Sequence, residues 1–185
     1  MAFSLFRKSR GPVDLAADMV GVRLGERLLH VGVGMPRAFA LLAGRAGLTG
    51  RACAVVADAI SAKTLEAAAA REGVFAEVFT CATSLWPLDN GSFDVAVVDA
   101  TWLLQSRLAS AVMPELWRCL RPGARAVALH RRPRGLALRL GFERRHDASR
   151  EARLLEARLE SQGFSPVRLL AEREGLTFVE GFRAR

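Results

Sequence analysis

Arg27-Leu-Leu-His-Val-Gly-Val-Gly34 is an apolar run that reads as a strand and ends in a glycine-rich turn before a helical pattern. Gly32 and Gly34 let the backbone turn tightly and approach a ligand closely. The N-terminus of the following helix offers free N–H groups and the positive end of its dipole to an anion. Strand-to-helix turns also use glycine for steric reasons alone, so a ligand turn and a plain tight turn both stay open here. A dinucleotide-dehydrogenase fingerprint fits worse, because its third glycine would fall at Arg37.

Outward from this turn, short β-like runs alternate with helical patterns, the signature of an α/β fold with a mostly parallel sheet. Strands are expected at Arg27–Val31, Ala52–Asp58, Phe75–Thr80, Phe93–Asp99, Ala124–His130, Val167–Ala171 and Leu176–Phe182. Helical patterns fall near 13–23, 36–46, 61–71, 105–120 and 148–162. In the last of these, Ala148, Ala152, Leu155 and Leu159 share a face, with Asp147 as the expected N-cap and Gly163 as the stop. Only Glu172–Gly175 separates the final two strands, which therefore form an antiparallel hairpin. Residues 1–24 read as a basic, helical N-terminal extension and 25–185 as one domain.

A chain of 185 residues with 51% hydrophobic and 25% charged side chains has the balance of a folded globular domain. No apolar run approaches the ~20 residues of a membrane-spanning helix. Cys53, Cys81 and Cys119 lack metal-ligand spacing and read as buried thiols of a reducing compartment, so a cytoplasmic location is expected. The net charge of +8 is localised: residues 118–145 hold nine arginines and one acid, Glu143, while the segments on either side balance.

Three further stretches extend the pattern. Val55-Val-Ala-Asp58 leads to Ser61-Ala-Lys-Thr-Leu-Glu66, a strand ending in an acid before a helix. Pro87-Leu-Asp-Asn-Gly-Ser-Phe-Asp-Val-Ala-Val-Val-Asp99 is a turn entering a buried strand, and Glu115-Leu-Trp-Arg-Cys-Leu-Arg-Pro-Gly-Ala-Arg125 joins a helix end to the next strand. In this order and spacing, residues 25–182 resemble the class I S-adenosylmethionine-dependent methyltransferases, most closely the small type 11 group. The resemblance implies a Rossmann-like sandwich with a mostly parallel seven-stranded sheet that ends in an antiparallel hairpin.

It also implies a site. Gly32 and Gly34 match the motif that lies against the methionine part of S-adenosylmethionine. Asp58 matches, within one position, the acid that accepts from the ribose hydroxyls. Thr80–Ser84, with Cys81 and Ala82, falls where the adenine is held, and Asp99 falls at the strand end facing the methyl group. This chain departs from the family at three places: His30 stands at the usual acid, Pro36 at a frequent third glycine and Cys81 at the adenine-binding acid. An ordinary imidazole at His30, with a pKa of about 6.5, would weaken cofactor binding as pH falls, because its protonated form repels the cofactor's ammonium group. Asp99 and His130 are the candidate catalytic groups. The strand carrying His130 ends His130-Arg131 instead of in an acid–amide pair, so no metal site is expected.

Between the fifth strand and the last helix, Arg131, Arg132, Arg134, Arg139, Arg144 and Arg145 flank Leu136, Leu138, Leu140 and Phe142. Such a segment suits a lid over a small-molecule or lipid-like acceptor, an anionic membrane surface or a protein partner. No aromatic stacking platform accompanies the arginines, which argues against nucleic acid. The competing reading is a degenerate, non-catalytic protein of this fold that serves as a scaffold or partner-binding subunit.

Overall fold

The computed structural model describes residues 11–81, 85–131 and 145–184. Seven strands form one sheet: β1 (Arg27–Val31), β2 (Arg51–Val56), β3 (Glu77–Thr80), β4 (Phe93–Asp99), β5 (Leu120–Arg131), β6 (Phe164–Arg173) and β7 (Leu176–Arg183). Their spatial order is β3-β2-β1-β4-β5-β7-β6. The first five run parallel and β7 is antiparallel to both β5 and β6; the link between β6 and β7 is only Glu174–Gly175, shorter than expected, and it requires the second of these pairings.

Among the described residues six helices cover the sheet: α1 (Pro12–Val20), α2 (Pro36–Ala46), α3 (Ala59–Arg71), α4 (Ala100–Leu104), α5 (Ser106–Cys119) and α6 (Arg145–Ser161). Side chains alternate between the two faces of each strand. Leu28, Ala54, Val97 and Leu129 pack with Phe39, Leu42 and Leu65 under α2 and α3. Leu29, Val55, Val98 and Ala128 pack with Leu103, Leu116 and Leu155 from α4, α5 and α6. Because both faces are covered, the central strands are continuously apolar, which is what made them readable in the sequence.

Several boundaries differ from expectation. The first helix stops at Val20 because Gly21 takes a left-handed conformation, φ 61°, and caps it. The 105–120 pattern is α5, and a short helix not expected from the sequence, α4, precedes it, capped by Asp99 and separated from α5 by Gln105. The expected N-cap Asp147 lies inside α6, which begins two residues earlier at Arg145. Pro122 and Gly123 sit within β5, whose register against β4 shifts between Phe93 and Val95, so the Pro-Gly turn is absorbed as an irregularity at the strand's start.

Arg125 ties α1 to this sheet. Its Nη2 donates to the carbonyls of Val20 and Gly21 at 3.1 and 3.0 Å, and it lies 3.4 Å from the Glu26 carboxylate. The side chain is only 17% exposed, so the bonds form with little competition from water. Arg125→Met should lower stability by about 1–3 kcal/mol, read as an earlier urea midpoint at unchanged slope.

Candidate functional site

The strand order reverses between β1 and β4: from β1 the chain moves to β2 and β3, and from β4 to β5. Open α/β sheets bind ligands outside the carboxyl ends of the strands at such a reversal. Here a cavity of about 260 Å³ opens, with buried His30, Val97 and Leu129 on the strands and Gly34, Asp99, Thr101 and Arg131 among its other walls.

Asp99 organises this end of the sheet. Its Oδ2 accepts the Gly34 N–H at 2.9 Å. Its Oδ1 accepts from Thr101 N at 3.0 Å and Thr101 Oγ1 at 2.8 Å, which caps α4. Gly32 has φ 91°, and a Cβ there would stand 2.7 Å from the Asp99 Cβ and 3.1 Å from Trp102 Nε1. Both the conformation and the close approach therefore require glycine. The Gly34 amide is donated to Asp99 and so is not free for a ligand.

His30 is 3% exposed and lies against the Phe39 ring, with centroids 5.0 Å apart. Neither Nδ1 nor Nε2 has a hydrogen-bond partner. Burial pushes its pKa down from 6.5 to about 4, although the nearby Asp99 charge pulls the other way. The imidazole is thus neutral at physiological pH, and the pH dependence expected for an ordinary histidine moves to more acid values.

Asp58 caps α3 from an exposed position. Its Oδ1 accepts the Ser61 N–H at 2.8 Å and its Oδ2 the Ser61 hydroxyl at 2.9 Å. These two bonds, the backbone one first, hold its carboxyl below the usual carboxylate range. Each oxygen keeps a further lone pair. Cys81 is a half-buried free thiol whose N–H donates to Val56 O at 2.8 Å, next to the end of β2. Ala82 lies outside the described residues, as do Arg132, Arg134, Arg139 and Arg144.

His30, Gly32, Gly34 and Asp99 come together at the ends of β1 and β4, while Asp58 and Cys81 gather at the neighbouring ends of β2 and β3. His130 does not join them. Leu129 and Arg131 line the cavity, so strand alternation turns His130 to the other face. There it is 7% exposed, with Nε2 3.2 Å from Glu151 Oε2 of α6. Thr101 and Met35 also line the cavity but were not singled out from sequence. Thr101, two residues beyond a strand-ending aspartate, carries the local signal of a helix cap and could have been found.

A family model described as "Methyltransferase domain" matches residues 29–128. Among solved structures, the chain is similar to a SAM-dependent methyltransferase from Aquifex aeolicus, at 17% identity and TM-score 0.73, covering 94% of this chain and 90% of that one. It is similar to a SAM-dependent O-methyltransferase from Thermotoga maritima at 14% identity and TM-score 0.66, over 94% of this chain and 64% of that one. A third likeness, 12% identical with TM-score 0.63, comes from a Haloferax volcanii complex of the Trm112 methyltransferase activator with a methyltransferase; it covers 92% of this chain and 88% of that one. At these identities the structures speak for the fold alone. No match was found among curated proteins.

The buried imidazole has a measurable consequence. With a folded pKa of about 4 against 6.5 unfolded, the unfolded chain binds more protons between those values. Stability therefore rises with pH across that window and falls as pH drops through it. Relative to wild type, His30→Asn should lose about 3 kcal/mol of that acid sensitivity, seen in urea unfolding at pH 7 and pH 4. Parallel pH slopes for the two proteins would contradict the burial argument.

Proposed function

The chain belongs to the methyltransferase-domain family, and from that premise we propose that it transfers the methyl group of S-adenosylmethionine to a small-molecule or lipid-like acceptor carrying an anionic group. The observation that carries this reading is the cavity at the strand reversal, where His30 presents two buried nitrogens without partners beside the Asp99 carboxylate. Buried polar atoms are nearly always paired, so orphaned ones facing a cavity point to a ligand that satisfies them.

The donor set fits that cofactor. Gly32 and Gly34 keep the turn bare of side chains, and Asp99 supplies in the same cavity the negative charge that a neutral His30 does not. Asp58 stands exposed at the next strand end with lone pairs left for hydroxyl groups. Asp99 favours a cationic donor over a neutral product, and His30 gives or takes one hydrogen bond without adding charge. Bound there, S-adenosylmethionine supplies a methyl group on a positively charged sulfur, which an acceptor lone pair can displace.

Arg131 lines the cavity and is exposed. The connection it opens leaves from the carboxyl end of β5 and returns at the start of α6, so both of its ends lie at the site end of the sheet. Its arginines are the basis for an anionic acceptor. Free anionic molecules and anionic headgroups at a membrane surface share that chemistry, and no described helix is long and apolar enough to cross a membrane. The scaffold reading rests on one observation, the internal use of the Gly34 amide by Asp99.

Calorimetry with S-adenosylhomocysteine separates the two readings. At 100-fold over its Kd the ligand should raise stability by ~2.7 kcal/mol. Asp58→Ser, which keeps a capping oxygen for α3, should weaken binding about tenfold through loss of charge-assisted bonds. No binding by wild type at any pH between 6 and 8 would decide for the scaffold. Replacing Arg131, Arg132 and Arg134 with Ser should leave this binding intact but reduce transfer to anionic acceptors or retention on anionic vesicles. That difference should shrink with salt, since exposed charges are screened within ~8 Å at physiological ionic strength. Identical behaviour of wild type and the triple variant at low salt would remove the arginines from acceptor recognition.

A further inference from the structure

The end of the sheet opposite the proposed cofactor cavity carries a second recess. It measures about 410 Å³ and lies between the end of α2 and the starts of β2 and β3, with Ala43, Gly44, Ala52 and Val74 among its walls. Leu48 and Phe75 also line it, yet Leu48 is fully exposed and Phe75 83% exposed, so both stand out from its mouth. Leu24 is 77% exposed and lies over the adjoining turn, where a Cβ on Gly47 would come within 2.5 Å of its Cδ1. Among the described residues, three of the seven large apolar side chains left exposed are gathered here. Single exposed leucines are ordinary, but a group of apolar side chains round a recess marks a contact surface.

The charges of this face balance. Arg51 and Glu77 are the charged residues of the recess, and Arg51 donates through Nε and Nη2 to the two Glu77 carboxylate oxygens at 2.8 and 3.0 Å. These bonds hold the Glu77 carboxyl below the usual carboxylate range, so the pair stays ionised at physiological pH. The side chains are 36% and 34% exposed, and three of the five guanidinium N–H groups remain for a further acceptor. A wholly acidic or wholly basic partner would meet one like charge for each opposite one. A copy of the same face brings both signs, and across a two-fold axis each Arg51 meets the other copy's Glu77. The net charge of +8 does not oppose this, because exposed charges elsewhere on the chain are screened beyond ~8 Å at physiological ionic strength. The shape is self-complementary as well. A projecting aromatic ring and a recess lie side by side, and a cavity of about 150 Å³ already admits benzene.

We propose that this face joins two copies of the chain in a two-fold dimer, with Phe75 of each copy seated in the other's recess and Leu24 and Leu48 packed around it. The proposal is independent of the methyl-transfer reading. The six residues of β2 separate the face from the Asp58 end of the sheet by about 20 Å. Both copies of the cavity beside Asp99 therefore stay open to solvent in the dimer. A two-fold contact of this kind uses the same patch on both copies and closes at two.

Sedimentation of the full chain at concentrations up to about 100 μM is the test. Wild type should pass with concentration from the 20.1 kDa monomer to a species of twice that mass. Leu48→Ser and Phe75→Ser change exposed side chains that contribute little to the fold of one copy. Each should raise the dimer dissociation constant about tenfold or more, as expected for an apolar anchor at the centre of an interface. Ile60→Ser, at an 80% exposed position beside the start of α3, should leave that constant within about twofold of wild type. Arg51→Glu and Glu77→Arg should each be monomeric alone, and mixing them should restore the dimer, because one brings two acids and the other two arginines. If either charge variant does not fold cooperatively, Phe75→Ser decides. A wild type that stays monomeric at the highest concentration would overturn the proposal and leave the face to a different partner. A dimer that Leu48→Ser and Phe75→Ser leave intact would place the contact elsewhere and overturn it as well.

Discussion

The Asp99 carboxylate joins the end of β4 to the turn after β1, accepting from Gly34 on one oxygen and from Thr101 on the other. These are the two strands between which the sheet reverses direction, and where an open α/β sheet places its ligands. The contact sets the sequence of the turn, since any side chain at Gly32 would collide with Asp99 itself. It also sets the start of α4, which Asp99 caps. Cavity shape, turn conformation and the entry into the second half of the fold all depend on one acidic side chain.

His30 owes its state to the same neighbourhood. Enclosed by strand neighbours and Phe39, it remains uncharged despite a carboxylate nearby, because desolvation outweighs the Coulomb attraction. The cavity therefore holds one fixed negative charge on β4 and one neutral hydrogen-bonding ring on β1. That combination suits the cationic ligand proposed above without demanding that the histidine titrate. The departure from the acid usual in the family is compatible with a live site, provided the charge comes from the neighbouring strand.

The sheet was legible where its strands are buried on both faces, as in Leu28–Val31 and Val95–Val98, because continuous apolar runs carry the pattern there. The closing hairpin was legible for a simpler reason: Glu172–Gly175 is too short for a crossover. Element ends were harder. Pro122-Gly123 reads as a turn from local chemistry and keeps that character inside β5: pairing with β4 skips from Leu120 to Arg125, pairing with β7 begins at Arg125, and Gly123 is left-handed at φ 80°. Gly32, Gly34, His30 and Asp99 could be found from motif order alone. Their mutual geometry could not, since the Asp99–Gly34 bond spans 65 residues. Likewise nothing local shows that His130 and Arg131, adjacent in sequence, face opposite sides of the sheet. Nor does anything local show that Glu115 accepts the Trp86 N–H and Arg118 donates to the Trp86 carbonyl, 29 and 32 residues away.

The central claim is that the cofactor's amino-acid end occupies the cavity beneath the glycine turn. Backbone amide NMR of the labelled protein, titrated with S-adenosylhomocysteine, reads this position directly. The account predicts that the amides of Gly32, Gly34 and Thr101 shift most, with the His30 ring signals moving alongside them. Amides at the opposite end of the sheet, such as Gly47 and Gly50, should stay in place. Saturable binding that leaves Gly34 and Thr101 unmoved while other residues respond would contradict it.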